Sequence, residues 1–130
     1  MSQPVVLYAC IHNSGRSVAA LYLTRHLFPG IDARSAGSEP GTAVNPGVAA
    51  VLAERGISVE DHVPSLLTFD GVQEADVVVT MGCGETCPVF PGKTYEDWPV
   101  DDPAGQDLET VRRIVADVEA RVRELGARLT

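Results

Sequence analysis

Cys10 and Arg16 bracket a short run, Cys-Ile-His-Asn-Ser-Gly-Arg, that follows the apolar stretch Val5–Ala9 and precedes an apolar periodic segment opened by Ser17. A turn of this length lets the backbone N–H groups of Ile11, His12, Asn13, Ser14 and Gly15 point inward as a nest around a tetrahedral anion. Arg16 closes the ring with a planar fork of donors. A helix beginning near Ser17 adds orphan N–H groups and the positive end of its dipole. The same field favours the Cys10 thiolate, the nucleophilic form of the thiol. The chemistry suggested is attack by sulfur on a bound phosphate-like oxyanion. The Cys-x5-Arg spacing alone is common, and a buried free cysteine is ordinarily a small hydrophobe. Its meaning comes from the surrounding order of strand, loop and helix.

Two further groups of residues carry chemistry. Cys83 and Cys87, in Met-Gly-Cys-Gly-Glu-Thr-Cys-Pro, follow a β-branched run, Ala75–Met81. That places them at the carboxyl edge of a parallel sheet, the edge on which Cys10 ends its own strand and on which open sheets bind ligands. The spacing allows a thiol relay with Cys10; a zinc site is the alternative, but one Cys-x3-Cys without a second pair is weak evidence for metal. Asp101 and Asp102 precede Pro103-Ala104-Gly105 in a turn. Displacing oxygen from an oxyanion needs a proton donor, and Asp102 at the mouth of the loop is the better placed of the two. Acidic residues in such turns also serve as turn formers. Asn13 is expected to brace the loop through side-chain to backbone bonds, and Ser17 to donate to the Cys10 thiolate. His12, His26 and His62 receive no catalytic role, and no metal or cofactor is assigned.

The elements that must hold these groups alternate strand and helix, which predicts a parallel α/β sheet. Strands are expected at Pro4–Ala9, Ile31–Ser35, Ala75–Met81 and Thr94–Trp98. Helices are expected at Ser17–Phe28, at Asn45–Arg55 with Asn45 as cap and Pro46 at the first helical position, and at a short Ser65–Phe69. The C-terminal segment carries Leu108, Val111, Ile114, Val115, Val118, Val122 and Leu125 at helical spacing. Glu109/Arg113, Asp117/Arg121 and Glu119/Arg123 are acid-before-base pairs four apart, so a solvated outer face is expected.

Composition bounds the remainder. A chain of 130 residues fits one domain, residues 1–130. A net charge of −8 disfavours nucleic acid and anionic membrane as partners. No apolar stretch approaches the roughly 18 residues of a membrane span, and the first residues lack a basic leader, so a cytoplasmic protein is expected. Three cysteines in that setting suit thiol chemistry better than a disulfide framework.

The loop Cys10–Ser17, the segment Ser35-Ala36-Gly37-Ser38 and the loop Asp102-Pro103-Ala104-Gly105 together resemble the arsenate reductases built on the low-molecular-weight tyrosine phosphatase fold. The resemblance covers nearly the whole chain. It implies a single-domain, flavodoxin-like α/β architecture with a four-stranded parallel sheet, helices on both faces, and arsenate held by residues 11–17. It also implies a sequence of roles. Cys10 attacks arsenic and Asp102 protonates the departing oxygen; Cys83 then attacks Cys10, releasing arsenite; Cys87 takes over Cys83, and thioredoxin reduces the resulting Cys83–Cys87 disulfide. Only Gly84, Glu85 and Thr86 separate the last two cysteines, a shorter stretch than in the best-known thioredoxin-coupled members. Leu21 stands where some members place a glutamate beside a potassium ion, and that site is not carried over. The rivals are a tyrosine phosphatase of the same fold and a reductase coupled to mycothiol. The phosphatases tend to carry aromatic residues beside the acid loop, where this chain has Pro103 and Ala104, and the mycothiol enzymes would not need both Cys83 and Cys87. A weak phosphatase side activity is expected in either case.

Overall fold

A computed structural model of the chain describes residues 3–82 and 93–130. Its order is β1 (Val5–Cys10), α1 (Arg16–Leu27), β2 (Asp32–Gly37), α2 (Pro46–Glu54), α3 (Phe69–Glu74), β3 (Val77–Thr80), β4 (Thr94–Asp97) and α4 (Leu108–Leu129). The strands form one parallel sheet in the order β2-β1-β3-β4. Apolar β-branched residues fill the interior strands because side chains on both faces are covered.

Alternation along β1 divides the core in two. Val6, Tyr8 and Cys10 join Val77 and Val79 in a large cluster with residues of α1, α2 and α4. Leu7 faces the other way and packs with Ala36, Val72, Ala75 and Val78, so α3 covers the second face. The buried Tyr8 hydroxyl donates to Thr24 Oγ1 at 2.7 Å, since that oxygen gives its own proton to the Ala20 carbonyl. Burial pushes the Tyr8 phenol up to about 12.

The predicted elements return with shifted ends. β1 extends to Cys10 itself, and β2 runs to Gly37, because Cys10 and Gly37 are paired in register. The expected helix at Ser65–Phe69 is not there. Leu66 pairs with Gly37 as an isolated parallel bridge, with Gly37 N donating to the Ser65 carbonyl and Leu67 N to the Gly37 carbonyl. The helix starts four residues later than expected, where the Thr68 side chain accepts from Gly71 N as an N-cap. α2 has the expected cap, Asn45 Oδ1 accepting from Val48 N at 3.1 Å. On α4 all the expected apolar residues are buried except Leu108, which is 40% exposed at the first position. Of its outer pairs, Asp117/Arg121 and Glu119/Arg123 are formed, while Arg113 donates to Thr110 Oγ1. Arg55–Glu119 and Arg112–Glu54 tie α2 to α4.

Candidate active site

Because all four strands are parallel, Cys10, Gly37, Thr80 and Asp97 end on one edge, and residues 11–15 span it from β1 to α1. The carbonyls of this loop are occupied from outside. Ser38 N donates to the Cys10 carbonyl, Glu39 N to Ile11, Gly41 N to His12 and Asn45 N to Ser14, at 2.7–3.2 Å. Segment 38–45 thus zips along the loop's outer side and takes up its acceptors. The loop packs so closely on β2 that a Cβ at Gly37 would lie 2.5 Å from the Ile11 carbonyl oxygen and 2.8 Å from Asn13 N.

Asn13 is the pivot. It is fully buried, with φ of 49°, a left-handed conformation that asparagine adopts more readily than most residues. Its Oδ1 accepts from Ser65 N at 3.1 Å, which leaves Nδ2 to donate to Ser17 Oγ at 2.8 Å. Ser17 Oγ lies 2.9 Å from Cys10 Sγ. With its oxygen accepting from Asn13, the Ser17 hydroxyl is oriented to donate to sulfur, a bond that strengthens when the sulfur is a thiolate. Both Cys10 and Ser17 are buried, at 2% and 0% exposure, so this bond is shielded from water.

Arg16 opens α1 with Gly15 as its N-cap. Its guanidinium lies over Gly82 just after β3, where a Cβ would stand 2.5 Å from Nη1 and φ is 92°. Arg16 Nη2 is 3.8 Å from Asp102 Oδ2. The other carboxyl oxygen, Oδ1, accepts from Ala104 N at 3.0 Å, so Asp102 both forms its turn and faces the loop. Cys10, His12, Ser14, Arg16 and Asp102 line one small cavity of about 40 Å³, roofed by Pro103 and Ala104. Asp101 instead lines a separate recess against α4. A larger hollow of about 750 Å³ beside α2 contains none of the predicted site residues.

The structure therefore gathers Cys10, Arg16, Asp102 and the loop residues 11–17 at one place. Cys83 and Cys87 lie outside the described residues. Leu21, at the position considered for potassium, is buried in the core. Among the described residues no three His, Cys, Asp or Glu side chains come together as a metal site. Sequence reasoning missed four supports: Ser65, Gly37, Gly82 and His62. His62 packs edge-on against Tyr22 and stands against the Asn13 backbone. Burial holds its pKa below the usual histidine value, the Asn13 carbonyl opposes that shift, and Arg25 adds to it. Each of these four contacts joins residues remote in sequence; only the glycines carried a visible signal.

Known proteins share the sequence profile and the fold. Residues 5–130 match the sequence profile described as low molecular weight phosphotyrosine protein phosphatase. A putative arsenate reductase of Halobacterium salinarum is 31% identical over 124 residues, covering 91% of this chain and 87% of its own. A thioredoxin-dependent arsenate reductase from Corynebacterium glutamicum superposes with a TM-score of 0.83 at 38% identity, covering 98% of this chain, which spans 62% of that one. An arsenate reductase from Archaeoglobus fulgidus gives a TM-score of 0.79 at 36% identity, covering 94% of this chain and 98% of its own.

Proposed function

The chain belongs to the low molecular weight phosphotyrosine protein phosphatase family, and we propose that within it the chain is an arsenate reductase of the three-cysteine, thioredoxin-coupled type. The observation that carries the chemistry is the bond from Ser17 to Cys10 Sγ on the floor of a cavity that Arg16 and Asp102 close. The choice of arsenate rests on relatives named arsenate reductases at 31–38% identity and on two further cysteines in the sequence.

Arsenate enters the loop with its oxygens on the backbone N–H groups of residues 11–16 and on the Arg16 guanidinium. Cys10 Sγ attacks arsenic, and the hydroxyl opposite the new S–As bond leaves as water with a proton from Asp102. The Cys83 thiol then attacks Cys10 Sγ. An S–S bond forms and the S–As bond breaks, its electron pair staying on arsenic, which departs as arsenite. Cys87 displaces Cys10 from Cys83 and frees the nucleophile. Thioredoxin, the reductant in the name of the Corynebacterium relative, reduces the Cys83–Cys87 disulfide; such a cycle belongs in the reducing cytoplasm.

The test is arsenate-dependent NADPH oxidation with thioredoxin and thioredoxin reductase. The wild type is expected to turn over, Cys10→Ser to be inert, and Cys83→Ser and Cys87→Ser to stop within one cycle. A wild type that hydrolyses an aryl phosphate steadily but never reduces arsenate would make the protein a phosphatase of this family. Turnover sustained by Cys87→Ser would refute the three-cysteine relay and point to an external thiol such as mycothiol.

A further inference from the structure

Gly15 is the N-cap of α1, a position where a serine or asparagine side chain bonds a free N–H and glycine has none to offer. Its φ of −129° is open to any residue, so the backbone does not ask for glycine. The space does. A Cβ on Gly15 would stand 2.7 Å from Pro103 Cγ and 3.5 Å from Pro103 Cδ, with Val48 Cγ2 of α2 at 3.9 Å. Both Gly15 and Pro103 are buried, and the proline ring lies directly on the anion loop.

Pro103 is also what holds the turn that carries Asp102. From Asp101 to Glu109 every other residue is exposed, so the proline is the one side chain of this stretch that sinks into the protein. The rest of the turn hangs from it. Gln106 N donates to the Pro103 carbonyl at 3.2 Å and Ala104 N to Asp102 Oδ1 at 3.0 Å, which joins residues 102–106 into one unit. The ion pair of Asp102 with Arg16, at 3.8 Å and with the carboxyl more than half exposed, is too weak to place that unit by itself. The two contacts run in step: Gly15 and Arg16 on one segment meet Pro103 and Asp102 on the other.

We infer that Gly15 is a positioning residue for the acid: by carrying no side chain it seats Pro103 on the anion loop, and that seat sets the Asp102 carboxyl beside Arg16. The inference rests on Asp102 being the proton donor, as proposed above. In that step the bond from Cys10 Sγ to arsenic forms as an As–O bond breaks, its electron pair leaves on oxygen, and the proton from Asp102 completes a water. Ordinary carbon contact begins at 3.4 Å, so a methyl at residue 15 drives Pro103 and the unit it anchors outward by about 0.7 Å. A proton transfer works over hydrogen-bond distance, and a displacement of about this size costs it roughly tenfold to 100-fold.

Gly15→Ala, Asp102→Asn and the double variant are compared in arsenate reduction coupled to thioredoxin, with inorganic phosphate as a competitive inhibitor that reports occupancy of the loop. Gly15→Ala is expected to lower kcat and kcat/KM together by about tenfold or more, with the phosphate inhibition constant within about threefold of wild type. In the Asp102→Asn background the same methyl is expected to change the rate by less than about twofold, because the group it displaces is already gone; a merely structural defect would slow both backgrounds alike. Pro103→Ala approaches the contact from the other side. It withdraws the ring carbons, is expected to slow the wild type while leaving Asp102→Asn unchanged within about twofold, and decides the matter if Gly15→Ala does not fold. Gly15→Ala turning over at the wild-type rate, an equal loss in both backgrounds, or phosphate inhibition weakened as much as kcat/KM would overturn the inference. Failure of the acid reading shows separately, as Asp102→Asn working at full rate, and takes the inference with it. If the wild type hydrolyses an aryl phosphate and reduces no arsenate, the arsenate reading falls and the same comparison is read on that hydrolysis, whose leaving oxygen also needs a proton.

Discussion

Asn13→Ala tests the frame of the site more severely than removal of the nucleophile, because it asks whether the loop's shape is held by the contacts described. The substitution deletes the bonds to Ser65 N and Ser17 Oγ, each worth about 1 kcal/mol. It also places alanine at a φ of 49°, a conformation that costs a Cβ-bearing residue roughly 1 kcal/mol or more. Together these predict a loss of about 3 kcal/mol, a large part of the 5–15 kcal/mol that stabilises an ordinary domain. Asn13→Gly removes the same two bonds but adopts the left-handed conformation freely, so its loss should be about 2 kcal/mol. Denaturant unfolding of the three proteins at one pH measures both values, with an unchanged slope showing that the transition is comparable. Activity should fall further than stability requires, by roughly 100-fold in kcat/KM, since Ser17 loses the bond that aims its hydroxyl at Cys10. If both variants unfold within about 0.5 kcal/mol of wild type, the contacts do not hold the loop. If alanine is no worse than glycine, the left-handed backbone at residue 13 is not a cost.

Three other outcomes follow from the same structure. Gly82→Ala puts a Cβ 2.5 Å from Arg16 Nη1 on a backbone of φ 92°, so KM for arsenate should rise about tenfold or more and the left-handed backbone should lower Tm by a few degrees; an unchanged KM would mean that Gly82 does not seat the guanidinium. Asp102→Asn keeps the turn bond to Ala104 N but donates no acidic proton, and kcat should drop about 100-fold with the anion still bound; full activity would assign the acid elsewhere. Tyr8 ionises near 10 when unfolded and at about 12 when folded, so its contribution is complete below pH 10 and is lost as pH rises through 12; unfolding curves of wild type should weaken across that window by up to about 3 kcal/mol more than those of Tyr8→Phe, and parallel curves would refute the assignment.

The sequence could be read where structure depends on neighbours along the chain. The passage from β1 through the anion loop to α1 is written in one stretch of residues, and Asn45-Pro46 announces its helix by local capping chemistry. The misplaced helix shows where this stops. Residues 65–69 hold two leucines and a cap-like serine, but Ser65 and Leu67 give their backbone groups to Gly37, 28 and 30 residues earlier, and the helix must wait for Thr68. The same reason hid the braces of the site. That Asn13 is needed was legible; that its amide answers Ser65, 52 positions on, was not. At Gly37 and Gly82 the sequence shows only the glycine; that the loop and Arg16 press against them comes from the fold.

The zipper along residues 38–45 has a consequence for how the protein tells one anion from another. With the carbonyls of residues 10, 11, 12 and 14 already engaged outside the loop, the cradle has little freedom to reshape itself around its guest. A rigid ring of donors reads charge and tetrahedral symmetry, and phosphate offers both as well as arsenate does. Affinity therefore gives little selectivity, and phosphate should occupy the loop as a competitor at cellular concentrations. On the proposed mechanism discrimination comes after capture, from what becomes of the sulfur adduct: arsenic can accept two electrons when a second thiol attacks and depart, whereas phosphorus can only return its group to water. On that proposal the choice of substrate is a kinetic partition, made by the thiols rather than by the pocket.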